Sequence, residues 1–378
     1  MSNALAWMTA RFELARHGDA ANVRPMEGLR GFAVFLVFLV HYATLMAPWM
    51  SQHSTLAGTW ALVHTVGNAG VDLFFVLSGY LIYGSLIARD QAYLPFLRRR
   101  IARIYPAFLV IFVIYLALSW LRPAESKIPA GTLPALTYIL QNFLLLPGIF
   151  KIEPMITVAW SLSYEMLYYL VLPLVITACR LRETSRAWRV SFFIVLTVVL
   201  LLACLRTAGP IRLAMFMAGI LLYEAIRSNA RPPGAGLVAV LVVCALIFTA
   251  APFAGAFGFV AKLLGLFFAF FFLCQVCFTQ PQSRLARAFS FTPLRWLGNM
   301  SYSYYLLHGL ALKAVVMALL IKAPGVKSEA LFVYGALPFV FALTLVPPAL
   351  LFLLVERPFS LVSKPRQANV VAPQGEGA

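Results

Sequence analysis

Charge is what this sequence has least of. Asp, Glu, Lys and Arg make up 11% of its 378 residues, where a soluble domain carries about a quarter. Acidic residues are the scarcest, 13 against 30 Lys and Arg. A water-soluble enzyme with a polar shell is therefore excluded. No Ser/Pro-rich linker and no polar second unit breaks the chain. Cysteines number five, at 179, 204, 244, 274 and 277, in or at the ends of apolar segments. Cys274 and Cys277 form a CxxC in "FFLCQVCFTQ", but no second pair accompanies them, so they read as small packing residues. Histidines and carboxylates fall on separate segments without ligand spacing, and no metal is expected.

What is abundant is apolar. Hydrophobic residues reach 62% and mean hydropathy is +0.87. The composition predicts an all-α, polytopic transmembrane bundle. Apolar runs place ten spans near residues 31–50, 69–88, 104–121, 159–179, 190–206, 211–226, 234–252, 260–279, 299–320 and 331–355. The segment 132–150, bracketed by Pro134 and Pro147-Gly148, is read as re-entrant or interfacial. With it excluded and the N-terminus inside, 21 Lys and Arg lie in inner segments and seven in outer loops. That bias satisfies the positive-inside rule and puts both termini in the cytosol. Residues 1–30 read as a cytoplasmic lead-in without the apolar core of a secretory signal, 31–360 as the membrane domain, and 361–378 as a disordered cytoplasmic tail. The formal charge of +17 orients the chain and favours anionic lipid or an anionic cytosolic ligand. Nucleic acid is not expected, because no aromatic stacking platform in a soluble domain accompanies the basic cluster.

Ionisable groups in lipid are costly and usually face an interior path. In "EGLRGFAVFLVFLVHY", Arg30 and His41 are eleven residues apart, hence within about 20° of one helix face and about 16 Å apart along the axis. In "GNAGVDLFFVLSGYLI", Asp72 lies near the start of a span and Ser78 about two turns deeper. In "FLRRRIARIYPAFL", Arg100 and Arg103 are helix neighbours, suited to bidentate phosphate binding or to topology alone. In "AWSLSYEMLYYLVLP", Glu165 stands among Trp160, Tyr164, Tyr168 and Tyr169; it could orient an imidazole, bind a hydroxyl, carry a proton or pair with an arginine. Ser301, Tyr305 and His308 share one face in "LGNMSYSYYLLHGL", and Glu356 in "VERPF" would pair with inner-leaflet arginines. His17, His53 and His64 fall in segments expected outside the membrane.

These blocks, in this order, resemble the integral-membrane acyltransferase-3 family over roughly residues 25–360. The resemblance implies about ten helices and transfer of an acyl group, often acetyl, from cytosolic acyl-CoA to an acceptor hydroxyl. Acceptors in such a family include surface polysaccharide, lipopolysaccharide, lipid-linked glycan and natural products. Many members append an extracytoplasmic serine-esterase-like domain, whereas this chain stops soon after Glu356. Met166 stands where many members have a second Glu, which removes a carboxylate pair.

The sequence thus supports an O-acyltransferase of the bacterial inner membrane, with acyl-CoA as donor substrate and no permanently bound cofactor. Arg30, Arg100 and Arg103 would hold the donor phosphates. His41 would be general base or acyl carrier, with Glu165 and Asp72 orienting it or the acceptor. Ser78, Trp160, Tyr164, Tyr168, Tyr305 and His308 would line the channel or acceptor site. The competing reading is a transporter or flippase for an anionic lipid-linked substrate, with Asp72, Glu165 and His41 as a proton path.

Overall fold

In lipid a backbone must satisfy its own N–H and C=O groups, which leaves helices for a chain this apolar. The computed structural model describes residues 3–14, 20–47, 56–207, 210–253, 255–322 and 334–361, and no strand occurs among them. Eight helical stretches there are long and apolar enough to cross a membrane. The chain is a multi-pass helical bundle. The tail expected at 361–378 lies outside the described residues except for Leu361, as do His17 and His53.

A short helix α1 (Asn3–Phe12) precedes α2 (Ala20–Met46), α3 (Ala57–Gly67), α4 (Ala69–Ile87) and α5 (Tyr93–Leu121). Helix α2 begins at Ala20 rather than near residue 31, so no break separates lead-in from membrane domain. Helices α3 and α4 meet at Asn68 and together make one candidate span, Ala57–Ile87. Helix α6 (Thr132–Phe143) has 12 residues, about 18 Å, too short to cross. Lys127 bonds both Glu153, at 3.1 Å, and the Pro154 carbonyl, at 3.2 Å, tying the two flanks of this segment together at one end of the bundle. That agrees with a non-spanning 132–150.

The chain continues through α7 (Ala159–Ala178), α8 (Arg186–Thr207), α9 (Ala214–Arg227), α10 (Ala235–Thr249) and α11 (Gly255–Thr279). Two of the ten expected spans are short: α9 has 14 residues and α10 has 15. Helix α9 is central, its residues Ala214 to Ile220 all buried, and it packs most extensively on α4. The α4–α9 crossing depends on glycine, because a Cβ at Gly79 would sit 2.1 Å from the Phe216 carbonyl oxygen. Beyond it, Glu224 accepts from Arg189 Nε and Nη2, at 2.7 and 3.2 Å, and from the Tyr83 hydroxyl, joining α4, α8 and α9.

Short helices α12 (Arg284–Phe289) and α13 (Thr292–Asn299) cross α2 and lead into α14 (Ser301–Lys322). A Cβ at Gly31 would meet the Leu294 carbonyl oxygen at 2.0 Å, so this glycine allows the approach that sets Arg30 beside α14. The last expected span, 331–355, is instead α15 (Leu337–Thr344), α16 (Val346–Leu351) and a π-helical segment Phe352–Leu361. Pro347 and Pro348 lack the N–H that would continue one regular helix.

Candidate active site

Two cavities sit end to end in the bundle. The first, about 440 Å³, is lined by Arg30, Ser78, Ser85, Arg100, Arg103, Glu165, Tyr169, Ser301, Tyr302 and Tyr305, with apolar residues between them. Three guanidinium groups face one lining carboxylate, so the cavity has a positive excess. Arg30 Nε and Nη2 donate to Ser301 Oγ at 3.2 and 2.9 Å. Arg100 donates to Ser85 Oγ at 3.1 Å and lies over the rings of Phe96 and Tyr169 at 5.0 and 5.3 Å. Arg103 has no hydrogen bond or ion pair among the described residues and is half-buried. The helix α14 begins here, and its N-terminal N–H groups add partial positive charge. Glu356 occupies one of them: it accepts from Ser303 N at 3.0 Å and Ser303 Oγ at 2.6 Å. It therefore caps a helix. No arginine pairs with it among the described residues, although Arg103 and Arg30 lie within electrostatic reach.

Glu165 belongs to this arginine cavity. Its Oε1 accepts from Tyr169 at 2.5 Å and from Ser78 at 3.4 Å, and no arginine forms an ion pair with it among the described residues. The helix periodicity of α7 puts Tyr169 one turn after Glu165.

The second cavity, about 480 Å³, is lined by His41, Thr44, Tyr115, Ser119, Thr157 and Lys313, by Arg122, Glu125 and Lys127 at the loop end, and by apolar residues of α5 and α14. Lys313 and Arg122 both bond Glu125, and hold its carboxyl below the usual range, Lys313 most strongly. His41 is half-buried. Arg30 and His41, close to one face of α2 by their spacing, open into different cavities. The wall between is made at α14 and α7. Tyr305 lines the first cavity and Leu306 the second; Ser161 lines the first and Val158 the second. The Tyr305 hydroxyl lies 2.6 Å from Ser161 Oγ and donates to the Val158 carbonyl at 3.2 Å, which closes the partition. His308 lies behind it, fully buried, its ring centroid 4.9 Å from that of His41.

Other expected site residues lie elsewhere. Asp72 is buried with Arg212 Nε 3.6 Å away, an ion pair too long for a hydrogen bond. Arg212 in turn lies over Trp160 at 5.9 Å. Tyr164 packs on Phe75 and Trp160, and Tyr168 bonds the Leu213 carbonyl at 2.8 Å while stacking on Phe216. Trp160, Tyr164 and Tyr168 line neither cavity. Sequence reasoning missed Ser85, Phe96 and Ser161, which carry no signal of their own. It also gave no sign that His64, in α3, lies within electrostatic reach of His41.

Comparison with known proteins identifies the family. A family model described as an acyltransferase domain matches residues 25–355. The O-acetyltransferase OatA of Staphylococcus aureus is 29% identical over 330 residues, covering 75% of this chain and 49% of that protein. The acyltransferase MdmB of Streptomyces mycarofaciens is 35% identical over 170 residues, 43% of this chain and 41% of that protein. A putative peptidoglycan O-acetyltransferase of Bacillus subtilis, YrhL, is 27% identical over 328 residues, 75% of this chain and 47% of that protein. The chain spans about half the length of these relatives or less. No solved structure matches it. With a family match over nearly the whole described bundle, the chain belongs to the acyltransferase-3 family of integral-membrane proteins.

Proposed function

We propose that the protein is a bacterial inner-membrane O-acyltransferase that moves an acyl group, acetyl first among them, from cytosolic acyl-CoA to an acceptor hydroxyl. The observation that carries this reading is the pair of cavities, one lined by arginines and one by His41, meeting at the Tyr305 partition. The arginine end faces the cytosol in this scheme, and so do both termini, in keeping with the charge bias of the loops.

The donor's phosphates bind at Arg30, Arg100 and Arg103, where planar guanidinium groups match their geometry. The thioester arm extends along the first cavity toward Tyr305. From Arg30 to His41 the rise along α2 is about 16 Å, the reach such an arm must have. Glu165, with Ser78 and Tyr169, acts on this donor arm. The acceptor hydroxyl enters the second cavity. Displacement of the Tyr305 bond from Ser161 lets thioester and hydroxyl meet beside His41. His41 takes the hydroxyl proton as the oxygen attacks the thioester carbon, the C–S bond breaks, and the proton passes to the leaving thiolate. The products are an O-acyl ester and free CoA. The names of the O-acetyltransferase relatives support acetyl as the group and a glycan such as peptidoglycan as one acceptor class.

The test is acetyl-CoA turnover by purified protein in proteoliposomes with a glycan or other hydroxyl acceptor, followed by product mass. His41→Gln keeps size and hydrogen bonding but removes the base. It should lower transfer by about 10²–10⁴ and leave CoA binding intact. Substantial transfer by His41→Gln would remove His41 from the chemistry. Intact acetyl-CoA alongside movement of a lipid-linked anion across the bilayer would overturn the reading in favour of a transporter.

A further inference from the structure

His308 is a fully buried titratable group that the mechanism above does not use. Its Nδ1 lies 3.0 Å from the Tyr304 carbonyl oxygen and 2.8 Å from that of Tyr305. A carbonyl only accepts, so Nδ1 carries the proton and donates to both, and the tautomer is fixed. Nε2 is then a bare lone pair. It is buried and has no partner among the described residues, a costly condition that calls for a donor.

The surroundings limit which donor that is. Tyr304 stacks on the His308 ring, but its hydroxyl is engaged with Thr344 at 2.9 Å. The Tyr305 hydroxyl is held by Ser161 and Val158. His41 is the remaining ring in contact, with centroids 4.9 Å apart and planes at 59°, and it makes no hydrogen bond among the described residues. An imidazole that serves as base needs one nitrogen bonded so that the other is a lone pair aimed at its substrate. Carboxylates often take that supporting role. Here Glu165 opens into the other cavity and Asp72 is held by Arg212.

We propose that His308 is a positioning residue for His41. After a small rotation of the His41 ring, His308 Nε2 accepts the His41 N–H and leaves the second His41 nitrogen unprotonated toward the acceptor cavity. The bond is strongest when His41 gains its second proton, because it then becomes charge-assisted. A neutral imidazole thus does what a carboxylate would otherwise do, and the buried space behind Tyr305 needs no anion beside His41. This rests on the reading of His41 as the base.

Two substitutions separate the Nε2 role from packing. His308→Asn retains an amide near the Nδ1 position and deletes the acceptor at Nε2. His308→Gln puts its amide oxygen near Nε2. His308→Asn should lower kcat by about 100-fold with the KM for acetyl-CoA changed by less than about twofold. His308→Gln should recover most of that loss. Added to His41→Gln, His308→Asn should have no further effect, since residues acting as a unit are not additive. Wild-type kcat in His308→Asn overturns the proposal. So does an equal loss in the Asn and Gln variants at an unchanged thermal midpoint. If neither variant folds, nitrogen NMR of wild-type protein carrying 15N-histidine decides. A coupling across an N–H···N bond between two imidazoles supports the proposal, and its absence with acyl-CoA bound overturns it. High transfer by His41→Gln alone is a different result: it removes the base, and with it the reading on which this proposal depends.

Discussion

Arg103 and Arg100 share one helix face, yet removing them should have different effects. Arg103 makes no hydrogen bond or ion pair among the described residues, and its contribution to the unliganded protein is a longer-range field, as on Glu356, which Ser303 already bonds. Arg103→Ala should change the thermal midpoint in detergent far less than Arg100→Ala does. If the guanidinium meets a donor phosphate, the loss is one charge-assisted bond, about 1.5–3 kcal/mol. That corresponds to about a 10- to 150-fold rise in the KM for acetyl-CoA, with kcat preserved at saturation. Arg100 is built into the wall by its bond to Ser85 at 3.1 Å and by the rings of Phe96 and Tyr169. Tyr169 also donates to Glu165. Arg100→Ala should therefore raise KM, lower kcat and lower the thermal midpoint together. Arg100→Lys restores charge but not the planar stacking group, and should recover binding only in part. Initial rates over a range of acetyl-CoA concentrations decide this, at low ionic strength first, because salt weakens such contacts. An unchanged KM for Arg103→Ala at low salt, with the fold intact, would refute the donor assignment and leave the cluster a topological signal.

Three other outcomes follow from the packing. Arg189→Ala leaves Glu224 buried with Arg186 still 3.7 Å away, so the loss of stability should be about 3 kcal/mol, near the lower end for a broken buried pair; an unchanged thermal midpoint would contradict the anchor. Arg212→Ala should destabilise by a similar amount, about 3 kcal/mol, by stranding Asp72. The double change Asp72→Asn, Arg212→Gln should restore both stability and transfer; a stable double variant with no transfer would put Asp72 back among the catalytic groups. Single cysteines at positions 125 and 154 should label from the same, extracytoplasmic side, because Lys127 joins their loops; labelling from opposite sides would make 132–150 a full span.

Much of the bundle was legible because lipid allows so few solutions. Long apolar runs had to be helices, and a segment broken by Pro147-Gly148 had to turn back. Helix ends were less legible. Residues 20–30 carry charges that suggest a lead-in, yet α2 runs through them because α13 and α12 cover that face. Helix α9 carries the apolar run expected of a span, and its Gly219 lies against the α4 backbone, so the same run also serves packing between helices.

In the site, local spacing was informative and long-range pairing was not. Arg100, Arg103 and Arg30 gather in one cavity, and Tyr169 meets Glu165 at the spacing of one turn. Nothing in the spacing of Arg30 and His41 says that Tyr305, from a helix more than 250 residues later, comes between their cavities. On the proposed reading the same fact assigns the carboxylate. Glu165 looked like the partner of His41 because both are polar groups deep in spans, but depth alone does not place two groups in one space. The partition puts Glu165 with the arginines, where it tempers their charge. It leaves His41 beside His308, whose fixed tautomer supplies the lone pair that an orienting group needs.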